Sequence, residues 1–372
     1  MKKFFLIFSA ILFFSLPYHT AIKYISLGLV LLSGLYIIIK EKTFKFDLIT
    51  LSLLGFFLIV LLSGFIHLVD LKRTISAQKD MLLIVMGFIV YRFVPLSKEE
   101  IIKYIVIPLS LSSIILLFVG LYKFYVLHDY YRFHLFTNIN RSAIYAALSF
   151  AFLLPFLEEL KNKKVLLIAA LFCLLATIVF LASRNSIITT SIILLLYLIA
   201  FSSLDKSKKI FILFLAIIIV IIVALFYHQF LYKIEHITKV PYRFGIWQAG
   251  ISTYIESKNY LLGIGTTNFR EVDLTPFISN WFKHIGSAHN LFLEILIENG
   301  ILGLFAYLLF LFLILKKIFK YKKSIFFLSS LFLIIVHFLT SMTETTLMKE
   351  HGFLFMALLG VSLGFMERNY EN

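Results

Sequence analysis

Long apolar stretches, broken by short clusters of lysine and arginine, repeat along the whole 372-residue chain. The runs lie near residues 4–18, 22–39, 47–68, 77–94, 101–121, 141–157, 165–183, 186–203, 209–230, 301–318, 324–341 and 351–367. Each is about 15–24 residues long, close to what an α-helix needs to cross ~30 Å of hydrocarbon. They are continuous, without the period-two alternation of a β-barrel. The pattern predicts an all-α, polytopic membrane protein of about 12 transmembrane helices, forming a single integral membrane domain over residues 1–372. One long loop, 231–288, separates spans 9 and 10 and is expected to carry short helices. Met1-Lys2-Lys3 and the apolar residues to Leu16 imitate a signal peptide, yet no small-residue cleavage site follows, so this run reads as a retained first span.

Composition agrees with the pattern: 61% of residues are hydrophobic, 42 are phenylalanine, and mean hydropathy is +0.97. The net charge of +15 has another origin than nucleic-acid binding, because the lysines sit between apolar runs rather than on a soluble basic face. Twenty of the 35 Lys and Arg residues fall on one set of loops, and six of the others lie in the long loop, where charge says less about orientation. Both termini are therefore expected in the cytoplasm and the long loop outside. Lys72, Arg73 and Lys79 oppose this placement; lipid headgroups or an anionic ligand could satisfy them. The single cysteine, Cys173, excludes an intrachain disulfide and a multi-thiolate metal site. The short cytoplasmic loops hold neither a P-loop nor a dinucleotide fingerprint.

Candidate chemistry collects on the outward side. Arg184 stands at the seam of two apolar runs, where a guanidinium needs a partner; it suits phosphate or carboxylate, or else snorkels to headgroups. Arg243 and Trp247 are four residues apart, on one face of a helix expected over 244–254, as a ligand clamp or as part of an aromatic belt. Arg270 follows the turn Gly263-Ile264-Gly265, which lacks the βαβ setting of a dinucleotide site. His289 opens a helix over 290–299 and can serve as a general base near neutral pH, although a lone histidine is often structural. Asn290, Glu294 and Glu298 share one stripe of that helix, and Gly300 is expected to end it. His284 lies in a looser segment. A zinc site from His284, His289 and Glu294 fits no common ligand spacing. The segment 122–141 adds aromatics, histidines and Arg141, suited equally to sugars and to an interface.

Ser183-Arg184, Arg243 with Trp247, Gly263-Ile264-Gly265 with Asn268-Phe269, His289-Asn290-Leu291-Phe292-Leu293-Glu294 and Glu298-Asn299-Gly300-Ile301-Leu302-Gly303 together resemble the O-antigen ligase and polymerase superfamily. The resemblance is concentrated in 180–305. It implies a GT-C-type glycosyltransferase of the bacterial inner membrane with its active site facing the periplasm. Such an enzyme moves a glycan from undecaprenyl pyrophosphate to a hydroxyl acceptor, with inversion and without cofactor or metal. It casts His289 as the catalytic base and Arg184 and Arg243 as the pyrophosphate ligands. Arg270, His284, Trp247, Arg141 and Glu294 are further substrate-binding candidates. The acceptor is expected to be a lipid A–core sugar, in lipopolysaccharide biosynthesis. A polymerase extending a lipid-linked glycan, a protein-directed transferase and a transporter of lipid-linked sugars are the alternatives. Mid-span polarity is slight, which disfavours the transporter.

Overall fold

The computed structural model describes residues 1–18, 20–126, 139–160, 164–181, 183–201, 241–278, 285–347 and 349–370. All regular elements among them are helical. In chain order they are α1 (Lys2–Ser15), α2 (Thr20–Glu41), α3 (Leu48–Ile66) and α4 (Leu71–Phe93). Next comes α5, which begins as Lys98–Ile101, passes a π turn at Ile102–Val106 and continues as Ile107–Tyr125. Then follow α6 (Ile139–Leu153), α7 (Lys164–Phe180), α8 (Arg184–Leu196), α9 (Pro241–Ser257), α10 (Leu291–Ile318), α11 (Ile325–Ser341) and α12 (Lys349–Tyr370).

Polar residues between the apolar runs start the helices. Asp47 accepts the Thr50 N–H at 2.9 Å, Asp70 that of Arg73 at 3.0 Å and Asn290 that of Leu293 at 3.1 Å. Ser97 and Glu100 form a reciprocal capping box. Six helical stretches are long and apolar enough to cross a membrane: 21–41, 48–66, 71–93, 98–123, 140–157 and 291–321. Shorter apolar helices cover 164–180, 184–199 and 325–341. The expected total of about twelve is not reached by these, and its ninth member, 209–230, lies outside the described residues.

Small residues set the tightest packing. On α12, a side chain at Gly364 would collide with the Arg92 carbonyl, and a Cβ at Gly360 would lie 2.6 Å from the Phe88 carbonyl oxygen. Two glycines four apart thus let the α12 and α4 backbones touch, as small residues do between helices in lipid. This contact carries Arg92, 1% exposed, against Glu367 of α12 (Nε to Oε2 3.0 Å) and Asp47 at the head of α3 (Nη1 to Oδ1 3.0 Å). One large core spans the bundle. A smaller one, built on Ile246, Tyr254, Phe269, Leu274 and Ile297, seats α9 and residues 268–274 on the start of α10.

A candidate active site at one end of the bundle

The starts of α4, α6, α8, α10 and α12 and the ends of α3 and α11 come together, and most of the candidate polar residues are here. The organising feature is a break in α10. As expected, the helical conformation stops at Gly300 (φ 70°, ψ −171°), and α10, Leu291–Ile318, is two helical pieces meeting at that residue. A kink frees backbone groups that need other partners inside a protein. The 260–265 loop supplies them: Ile264 and Gly265 N–H groups donate to the Ile297 and Glu298 carbonyls (2.9 and 3.0 Å), and the Ile301 N–H donates to Tyr260 O (2.9 Å). The loop fits because Gly263 and Gly300 both have positive φ and no side chain; a Cβ on Gly263 would sit 2.5 Å from the Ile297 carbonyl oxygen. The Ser63 hydroxyl bonds to Leu262 O and Glu298 O at 2.7 and 2.6 Å, tying the joint to α3. Much of the repeated glycine signal in 180–305 therefore builds one joint that aims the first turns of α10.

Ahead of that joint, His289 is held in a left-handed conformation, φ 48°. Non-glycine residues seldom adopt it, and it persists only where neighbours enforce it. Those neighbours are visible. Trp247 Nε1–H donates to Ala288 O at 2.9 Å, and the Ala288 N–H donates to Glu294 Oε2 at 2.9 Å. Asn290 caps α10 immediately after. Trp247 thus ties α9 to the residue before His289.

The partner of His289 is Glu344, in the 342–347 segment between α11 and α12. Nδ1 of His289 lies 3.2 Å from Glu344 Oε2, and Arg243 Nη2 lies 3.5 Å from Oε1. The Asn140 amide, at the start of α6, also donates to Oε1. One carboxylate therefore gathers α6, α9 and the start of α10. A carboxylate facing Nδ1 favours the tautomer whose Nδ1–H donates to it, which leaves the lone pair on Nε2. Neighbouring side chains of the same segment face other elements. The Asn185 amide, one residue after Arg184, donates to Thr343 Oγ1, and the Thr345 hydroxyl donates to Glu294 Oε2 at 2.6 Å.

Arg184 opens α8 and is exposed; among the described residues it forms no ion pair. Arg243 is 42% exposed despite its contact with Glu344. Arg243 thus keeps donors free at Glu344, and Arg184 lies one residue from Asn185, whose amide reaches Thr343. Arg141 lies in the first turn of α6, next to Asn140, and is half-buried. Arg270 stands in a 3₁₀ turn, Asn268–Glu271, with its Nε 2.8 Å from where a Gly286 Cβ would be. Asn268 is occupied by the His67 and Ile264 carbonyls at 2.7 and 2.9 Å, a structural role. His284 lies outside the described residues.

On the other side of the 343–345 segment is a cavity of about 270 Å³, among α3, α4, the 266–270 loop and the start of α10. Arg270 and Glu294 line it; His289, Arg184 and Arg243 do not. Sequence reasoning missed Glu344, and took Asn140 only as one of the polar residues of 122–141. Glu344 sits in a polar island, Thr343-Glu344-Thr345-Thr346, between two apolar runs, which marked a loop but gave no partner.

A family model described as O-antigen ligase (Wzy_C) matches residues 169–308. The match supports the superfamily resemblance read from the motifs. It covers Arg184, Arg243 and His289 and stops short of Glu344. A comparison with curated proteins finds no match.

Proposed function

We propose, from the premise that residues 169–308 are an O-antigen ligase domain, that the chain is a membrane glycosyltransferase that moves a glycan from undecaprenyl pyrophosphate to a hydroxyl of a lipid A–core sugar. The observation that carries the reading is the convergence of His289, Arg243 and Asn140 on Glu344 beside the exposed Arg184. Arg184 and Arg243 hold the pyrophosphate. Their planar donor forks match phosphate oxygens and neutralise the charge that grows as it leaves. His289 Nε2 takes the proton of the acceptor hydroxyl while Glu344 holds Nδ1–H and stabilises the imidazolium. The acceptor oxygen bonds to the anomeric carbon as the carbon–oxygen bond to pyrophosphate breaks, so the configuration inverts. The proton resides on His289, the electron pair leaves with undecaprenyl pyrophosphate, and neither nucleotide nor redox partner is consumed. The reading places the site on the periplasmic face of the inner membrane with both termini in the cytoplasm.

The test is transfer by purified protein given an undecaprenyl-pyrophosphate-linked glycan, with and without lipid A–core. Product on lipid A–core, absent for His289→Ala, is the expected result. Lengthened lipid-linked glycan without added acceptor makes the protein a polymerase. Donor binding without turnover in either tube favours a transporter.

A further inference from the structure

The cavity beside the reacting groups is not used by the mechanism above, and most of its walls come from residues outside 169–308. We infer that it is the subsite for the acceptor's sugar ring, an assignment that rests on the proposed transfer reaction. Its volume of about 270 Å³ lies just below the ~300–1,000 Å³ of pockets for drug-sized ligands, the scale of a small polar ligand rather than of a polyprenyl chain.

The lining has the chemistry of a polyol site. Arg270 and Lys349 supply donors and Asp80, Glu294 and Glu298 supply carboxyl oxygens, while Arg73 has part of its fork held by Asp70 and Glu271. A sugar presents hydroxyls that both donate and accept, and so can use both kinds of group. Phe56, Leu291 and Leu347 add apolar wall for the ring's carbon face. The walls are also held under strain. Thr267 at φ 74° and Lys349 at φ 46° both line the cavity, and with His289 they are three of the five non-glycine residues of positive φ among those described.

Its position matches the reaction geometry. Glu294 in the cavity wall bonds to Ala288 and Thr345, the residues adjoining His289 and Glu344. Lys72, Arg73 and Lys79, the basic cluster at odds with the rest of the charge pattern, gain one explanation, since Arg73 reaches this cavity.

Ala77 of α4 lines the cavity and bonds to none of the reacting groups, so Ala77→Phe fills the space, and Ala77→Ser controls for folding. With lipid A–core as acceptor, Ala77→Phe is expected to raise the acceptor KM tenfold or more and leave the donor KM within twofold. Arg270→Gln, at an exposed position, is expected to shift the same constant in the same direction. An unchanged acceptor KM in both variants, or a rise confined to the donor KM, overturns the subsite while leaving the reaction in place. Equilibrium binding of lipid A–core, measured in a His289→Ala background, separates the two claims. If the wild-type protein makes no product but Ala77→Phe still removes that binding, the reaction falls and the subsite stands.

Discussion

Arg92 and the pair Arg184 and Arg243 look alike in sequence, each a guanidinium at the edge of an apolar run, yet the structure uses them in opposite ways. Arg92, at the far end of the bundle, is 1% exposed and bonds to Glu367, Asp47 and Thr50. Its own carbonyl accepts from Arg368 at 2.9 Å. Every direction of the fork is used, so it binds helices and nothing else. Arg243 shares one carboxylate with His289 and Asn140 and stays 42% exposed, and Arg184 has no ion pair among the described residues. The lesson is that a rim arginine becomes a ligand-binding candidate through the donors its neighbours leave unspent.

The largest effect should fall on chemistry alone. His289→Ala is expected to lower the transfer rate by ~10²–10⁴-fold, with insertion and thermal stability preserved. Glu344→Gln acts through the imidazole and should lower kcat and shift the pH–rate profile with substrate KM little changed. Glu344→Asp should recover part of the rate, and a Glu344→Gln enzyme with a wild-type pH profile would remove Glu344 from its positioning role. Next comes the contrast between the arginines. Arg92→Met strands two carboxylates and should cost about 3–5 kcal/mol in the unfolding of purified protein. Arg184→Met should change stability by no more than about 0.5 kcal/mol while lowering transfer. Equal stability losses in the two variants would break the comparison.

Gly300→Ala joins both effects. It forces a side chain into positive φ against the Leu261 carbonyl, so a cost of about 1–3 kcal/mol and a misaimed start of α10 are expected, read as reduced melting temperature and transfer together. Arg243→Lys should be milder, about tenfold in rate, the worth of one charged hydrogen bond. The smallest effect is on pH. Burial pushes the Asp47 carboxyl upward, but its hydrogen bonds from Arg92 and Thr50 outweigh this and hold it below the usual carboxylate range. Its contribution to stability is then fully present above ~3.9, the unfolded value, and is lost as pH falls through the lower folded one. Melting temperature should therefore not fall between pH 7 and 5 on account of this pair; removal of such a fall by Asp47→Asn would refute the assignment.

Much of the local design was legible in the chain. The helical class follows from continuous apolar runs, whereas the caps made by Asp47, Asp70, Ser97 and Asn290 were seen only in the structure. His289, Arg184, Arg243 and Trp247 could be singled out as polar groups at the rim of apolar segments. Gly300 was legible as a stop, but that the 260–265 loop fills the broken hydrogen bonds and holds the two pieces of α10 together was not. Glu344 was missed because its meaning lies in Asn140, Arg243 and His289, which are 204, 101 and 55 residues away.

What the sequence determined by itself is what short-range physics controls: apolar length, charge between runs and the residue types able to hold a pyrophosphate or take a proton. Only the tertiary structure decided which arginine is saturated and which is open, that one carboxylate gathers His289, Arg243 and Asn140, and that a cavity of about 270 Å³ lies next to the 343–345 segment. Those outcomes depend on distances between residues far apart in the chain. They arise when glycines let backbones touch and a buried or half-buried charge must take whatever partner the packing brings to it.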